Sequence, residues 1–278
     1  MGFFSPRTPE VELERPVLDL SGPALTTAVE RLAVACEETG GVEAYVEALR
    51  LKGEAFRKIF AEAGPEGPSA EEFAVLAGLM PTVRRRIGPW LQGARFDELR
   101  TAVMELVGVE HDPLEVDRRI AEFCVTFPVD RKHRWVKDLA AELLHSLDPE
   151  RYPLMCRWVW DEGSNTGVLR EIWYGDVDRA TIRVGDGYAT HVMLREELTQ
   201  FLSQNGVFRD VLLYLDLLLA QVYAEYIAAQ GGSYLRADFS SPEDMVVYLR
   251  RLLGLDGVRI KHPDQAVARA ARAALPGA

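Results

Sequence analysis

The sequence predicts a mainly α fold, a multi-helix globular bundle with at most one small β-hairpin near residues 180–193. Three observations predict it. Apolar residues recur at three- and four-residue steps through nearly every segment, which lays them on one helix face. Helix punctuation accompanies them, with Ser, Asp and Pro before the periodic runs and Gly after them. β-branched runs around a glycine turn occur in one place, where ATIRV and YATHVM flank Gly185-Asp186-Gly187.

Residues 1–20 carry three prolines and no clear period, and read as an extended N-terminal arm. From Ser21 onward Leu25, Ala28, Val29, Leu32 and Ala33 share a helix face, and Gly40-Gly41 ends that helix. A second helix runs from Val42 towards Phe60 on Tyr45, Val46, Leu49 and Phe56, with Gly53 as a point where it breaks. GPEGPS, residues 64–69, is a loop. Ser69 and Glu72 make a capping box, in which each side chain satisfies an amide the helix start would leave unpaired. That helix carries Phe73, Leu76 and Leu79 and stops near Pro81. Another covers Phe96 to Val107, and Asp112-Pro113 with Glu115 opens one bearing Val116, Ile120 and Phe123.

Phe127-Pro128 interrupts the pattern and divides the chain into a helical subdomain, 21–128, and a tryptophan-rich helical subdomain, 129–256. Asp130 caps a helix with Trp135, Val136, Leu139, Leu143 and Leu144 on one face, ending at Asp148-Pro149. Tyr152-Pro153 turns the chain, and a short apolar stretch, Leu154 to Trp160, follows as a short helix. Its geometry would set Trp158 and Trp160 about 200° apart. Ser164-Asn165 starts one more helix, and helices resume near Arg195 through Leu253. Residues 257–278 form a C-terminal tail with a short amphipathic helix, AVARAARAAL.

At 278 residues, with 48% apolar and 27% charged residues, the chain is long enough to bury a core without disulfides or metals. A net charge of −11 opposes wholesale nucleic-acid binding, although a local basic patch could still take an anion. Of the 32 basic residues 27 are arginine, a bias that fits GC-rich coding in a bacterial-type protein. Cys36, Cys124 and Cys156 are widely spaced, with no C-x-x-C and no secretory leader, so a reducing, cytoplasmic setting is expected. Val211 to Ala229 approaches the length of a membrane span. Asp216, Gln221 and Glu225 interrupt it, so a buried core helix is expected and no membrane.

Four of the five tryptophans lie between Trp135 and Trp173, in a segment that opens on Arg131, Lys132, His133 and Arg134. Tryptophans bury large surfaces and need a partner for their N–H, so the segment is either core or recognition surface. Candidate binding residues are therefore Arg131, Lys132, Arg134, Trp135, Arg157 and Trp158. Cations in a first helical turn oppose the helix dipole, so helix stability does not explain them. Pairing with this chain's carboxylates, or an acidic partner, does.

No catalytic constellation is recognisable, no cofactor motif occurs, and no metal site is expected. His133 and His145 are twelve residues apart and read as surface or capping histidines, and Cys156 reads as a core cysteine. Asp161 to Ile172 fails as a calcium loop because Thr166 stands where glycine is required. Arg84, Arg85 and Arg86 span almost a turn and read as a solvated face beside Trp90. Asp216, set among leucines, must be paired or carry a raised pKa. An arginine partner or the helix edge is the simpler expectation, and an acid–base role the other.

Leu144, Leu147, Asp148, Pro149, Tyr152 and Pro153, within Leu143 to Asp161, form a turn that resembles one in bacterial proteins related to the helix-hairpin-helix DNA glycosylase fold. The resemblance covers under a tenth of the chain. It implies nucleic-acid or nucleotide contact and transfers no catalytic residue.

Three functions follow as expectations. The first is a non-catalytic, regulatory or accessory protein that binds a protein partner. The second is a helix-hairpin-helix-like nucleic-acid or nucleotide binder using the basic patch from Arg131 to Lys137. The third is an enzyme whose site is assembled around buried Asp216. A flat apolar patch, a basic groove, or a deep cavity with a perturbed carboxylate would favour each in turn.

Overall fold

The computed structural model describes residues 15–37, 39–108, 112–175, 181–234 and 242–256. Among these residues the fold is all-helical: α1 (Gly22–Glu37), α2 (Val42–Ala63), α3 (Ala70–Gly78), α4 (Gly93–Val107), α5 (Val116–Val125), α6 (Trp135–Leu147), α7 (Val168–Glu171), α8 (Tyr188–Gln204), α9 (Val211–Tyr234) and α10 (Pro242–Leu252). The capping box forms at α3, where Ser69 Oγ accepts from the Glu72 amide and Glu72 Oε2 accepts from the Ser69 amide at 2.8 Å.

The leucine-rich helix α9 is the centre. Helices α1, α2, α7, α8 and α10 pack on it from different sides, which is why its apolar residues surround the axis instead of forming one stripe. Leu217, Leu218 and Ala220 are fully buried, and the polar interruptions Asp216 and Gln221 are buried with them. By length and composition Val211–Gln230 is long and apolar enough to cross a membrane; in this fold half of that window is core. A second layer forms where α6 packs against α2, α4 and α5. Phe127 sits in its aromatic cluster, edge-on to Trp90 at 4.8 Å and to Trp135 at 6.3 Å. One continuous apolar cluster includes residues from both sides of Phe127-Pro128. Of the arm, residues 15–20 lie along the turn after α7, with Tyr174 N–H donating to the Asp19 carbonyl at 2.8 Å. The tail beyond Asp256, with its AVARAARAAL segment, lies outside the described residues.

Among the described residues, which resume at 181, the hairpin expected near 180–193 does not form. Residues 188–193 are instead the first turns of α8, burying Tyr188, Thr190, His191 and Val192. The reason lies in tertiary partners that override β-propensity. Asp117 Oδ1, on α5, accepts from the Tyr188 amide at 2.8 Å and so caps α8 from another element. Before it, the Ile182 amide donates to Asn165 Oδ1 at 3.1 Å, and the Val184 carbonyl accepts from Trp160 Nε1 at 2.9 Å. These backbone groups need no neighbouring strand.

Three smaller expectations also change. Helix α2 continues through Gly53 without a break. The stretch from Leu154 to Trp160 makes a turn, with Val159 N–H on the Cys156 carbonyl, and no helix. The tryptophans nevertheless diverge: Trp158 packs on Tyr223 of α9, whereas Trp160 reaches the 181–184 segment. Helix α6 begins at Trp135, so Arg131 and Lys132 precede it. Asp130 Oδ1 accepts from the amides of Lys132 and His133 in a turn ahead of the helix.

Candidate functional site

Of the ionisable residues on helix α6, Asp138, Glu142 and His145 are spaced so that they share one inward stripe, while Lys137 lies off it. Each finds a partner on a different element. Arg157, in the turn after α6, donates to Asp138 through Nη2 at 2.7 Å and through its amide at 3.0 Å. Lys52 of α2 donates to Glu142 Oε2 at 3.0 Å and to the Leu253 carbonyl at 3.1 Å. Asp216 of α9 meets His145 Nε2 at 2.9 Å, while His145 Nδ1 lies 2.8 Å from the Tyr152 carbonyl. An ionic ladder thus runs through what the apolar pattern marks as core.

Burial decides the electrostatics of this ladder. Burial lifts the Glu142 carboxyl above its ordinary range, and the charge and hydrogen bond of Lys52 offset only part of that. For His145 burial alone would lower the imidazole. The Asp216 carboxylate, its hydrogen bond and the Tyr152 carbonyl outweigh it, so the ring is raised. Burial, reinforced by Glu142 and Asp138, pushes the Cys156 thiol far above its usual value. Such a thiol stays protonated and is not a nucleophile.

Lys52, Glu142, His145 and Asp216 line a cleft of about 860 Å³ between α2, α6, α8 and α9, and Leu252 and Leu253 also belong to its lining. This volume is in the range of small-molecule sites. The position of Leu253 is fixed by the way α10 stops. Gly254 takes a left-handed φ of 73°, and the Leu255 and Gly254 amides return to the Arg250 and Arg251 carbonyls. That turn aims the Leu253 carbonyl at Lys52, and it brings Gly254 so close to the Leu79 carbonyl that no Cβ fits. Trp158 forms part of the wall, and Thr199 and Ser203 of α8 belong to the lining as well.

The six residues singled out from sequence do not form one patch. Trp135 is core, and Trp158 is a buried residue that borders the cleft. Arg157 is held by Asp138, and Arg134 by Asp161 at 3.1 Å, so pairing within the chain accounts for both. Lys137 is paired likewise with Asp186 at 2.7 Å. Arg131 and Lys132 are exposed and make no ion pair among the described residues. They join Arg86, whose guanidinium donates to the Lys132 carbonyl at 3.1 Å, beside Trp90, which carries Arg95 on its face and His133 against its edge. Arg84 points elsewhere, to a bidentate pair with Asp256 at 2.7 Å.

Asp216 is buried as expected, but its partner is a histidine and not an arginine. His145 is correspondingly neither a surface nor a capping residue. Lys52 and Glu142 went unnoticed in the sequence. The Asp138, Glu142, His145 spacing was a usable signal, because three ionisable residues at core spacing on the apolar face of a helix require buried partners. Among the described residues no three His, Cys, Asp or Glu side chains gather as a metal-binding group. Comparison with known protein families, with curated proteins and with solved structures finds no match. The resemblance of the turn after α6 to the helix-hairpin-helix group therefore stands on that turn alone.

Proposed function

We propose that this protein works by taking a small polar molecule into the cleft around Asp216. The proposal keeps the site of the third function expected from sequence, an enzyme assembled around buried Asp216, and puts binding there first. The observation that carries it is the convergence of Lys52, Glu142, His145 and Asp216 in the lining of one cleft. Groups so buried are costly to keep, and their clustering in a concavity is a mark of functional sites. Lys52 has three N–H donors, of which Glu142 and Leu253 occupy two. The third is a donor for a bound molecule. Where that molecule is also turned over, Glu142 is the group to exchange a proton, since a carboxyl lifted by burial lies nearer the operating pH.

The test is thermal stabilisation by a chemically varied set of small polar compounds, in the wild type and in Thr199→Trp, which fills the cleft from α8. Compounds should stabilise the wild type and not the variant. Equal shifts in both would place binding elsewhere.

A second reading, the regulatory protein that docks an acidic partner, draws support from Arg86, Arg95, Arg131 and Lys132 around Trp90. None of the four makes an ion pair with a carboxylate among the described residues, on a chain of charge −11. Trp90 itself is largely buried and offers no open face for base stacking, which favours a protein over nucleic acid. Replacing Arg86, Arg131 and Lys132 with Ala should weaken capture of an acidic polypeptide, poly-glutamate serving as probe, and salt should weaken wild-type capture more than that of the variant. Unchanged capture would remove this reading.

A further inference from the structure

We infer that the molecule taken up by the cleft carries an anionic oxygen group, a carboxylate or a phosphate, and that Arg57 and Arg195 receive it at the cleft mouth. This rests on the cleft being the ligand site.

The inference comes from following each charge in the cleft to its partner. Lys52 is matched by Glu142 and His145 by Asp216. Arg50 is matched by Asp210 at 2.9 Å, and Glu196 is drawn away to Arg15 at 3.0 Å. Two cations remain, Arg57 from α2 and Arg195 from α8, with Glu150 as the exposed acid nearby. Neither arginine makes an ion pair among the described residues. Both instead lean on the turn that follows α6. Arg57 Nη1 donates to the Ser146 carbonyl at 3.4 Å, and Arg195 Nη1 donates to the Pro149 and Glu150 carbonyls at 3.3 and 2.6 Å. Each guanidinium is thus anchored through one nitrogen, which leaves Nη2 and Nε, the edge that matches two oxygens of a carboxylate or phosphate.

Gly53 supports the same assignment. A glycine in the interior of a 22-residue helix is disfavoured relative to alanine. Here it lies under the Arg57 side chain: a Cβ on Gly53 would sit 3.0 Å from Arg57 Nη1, closer than ordinary contacts allow. The bare backbone lets the guanidinium fold along α2 towards the Ser146 carbonyl and the cleft. Alanine would displace a flexible side-chain end, not the helix, so it separates the position of Arg57 from the stability of the fold.

The experiment is calorimetric titration of the full chain, at low ionic strength, with inorganic phosphate, succinate, neutral glycerol and cationic putrescine. Phosphate or succinate should bind, and whichever is tighter identifies the group. Arg57→Ala and Arg195→Ala should each weaken that binding roughly tenfold or more. Gly53→Ala should also weaken it without lowering Tm, a combination that damage to the fold would not produce. An anion that binds the Arg57→Ala/Arg195→Ala double variant as well as wild type overturns the inference. Glycerol or putrescine binding that Thr199→Trp abolishes, with neither anion binding, overturns it while leaving the cleft as a ligand site. Absence of binding by all four probes overturns it too, and failure of the wider compound set against Thr199→Trp would then remove the cleft reading as well.

Discussion

His145 and Asp216 are joined at 2.9 Å, from Nε2 to Oδ2, while the other nitrogen of the same ring faces the Tyr152 carbonyl at 2.8 Å. A carbonyl only accepts, so Nδ1 carries a proton. With an ionised Asp216, Nε2 carries one too, and His145 is an imidazolium locked between α6 and α9. The ring is therefore held in its charged form more strongly than a free imidazole. Breaking one half of a buried pair leaves the other charge uncompensated. His145→Gln and Asp216→Asn should each cost about 3 kcal/mol in urea denaturation, and replacing both with leucine should recover most of that loss. Single variants of wild-type stability would contradict the pairing.

The pH dependence follows from two buried histidines shifted in opposite directions. His145 is raised, so the stability it contributes is complete below the unfolded value of about 6.5 and is lost as pH rises through its folded pKa. His191 is lowered, chiefly by burial, with Nδ1 on the Gly187 carbonyl and Nε2 without a partner among the described residues. Its contribution is present above about 6.5 and is lost as pH falls through its folded pKa. The two slopes have opposite signs and lie on either side of about pH 6.5. Relative to wild type, His145→Gln should lose the fall in denaturation midpoint above about pH 6.5 and His191→Gln the fall below it, while the raised Glu142 carboxyl contributes alike to both. Parallel profiles for both variants would refute the assignment.

Gly254 should not tolerate alanine. Its left-handed backbone and its approach to the Leu79 carbonyl leave neither the conformation nor the space for a Cβ. We expect Gly254→Ala to lose about 2 kcal/mol or more and to disturb Lys52 through the Leu253 carbonyl. A variant with wild-type Tm would show that the turn adapts.

Trp158 and Trp160 have separable roles. Trp160→Phe keeps a ring but leaves the Val184 carbonyl without its donor, and should cost about 1–2 kcal/mol. Trp158→Phe deletes no such bond among the described residues. It should cost less stability and alter compound binding, because Trp158 borders the cleft. The reverse ranking in denaturation would contradict this division.

The helices were legible because their determinants are local. Ser69 and Glu72 are three residues apart, and the stripe from Leu25 to Ala33 needs no knowledge of its partner. The segment at 180–193 was misread because its caps, Asp117 and Asn165, come from elsewhere in the chain and outweigh a local preference for strand. The site was the least legible part. His145 meets Asp216 across 71 residues, and Lys52 meets Glu142 across 90. Only the spacing of Asp138, Glu142 and His145 hinted that α6 carries charge inward, and no local pattern names the partners of such charges. The same distance hid Arg57 and Arg195, which meet at one turn only after α2 and α8 have packed.

The most direct test of the cleft as the functional site is a crystal structure of the protein with the tightest-binding compound from the screen. New density is expected between α2, α6, α8 and α9, within hydrogen-bond reach of Lys52 and with the anionic end of the compound at Arg57 and Arg195. A compound bound at another surface, with this cleft unchanged from its free form, would contradict the cleft reading.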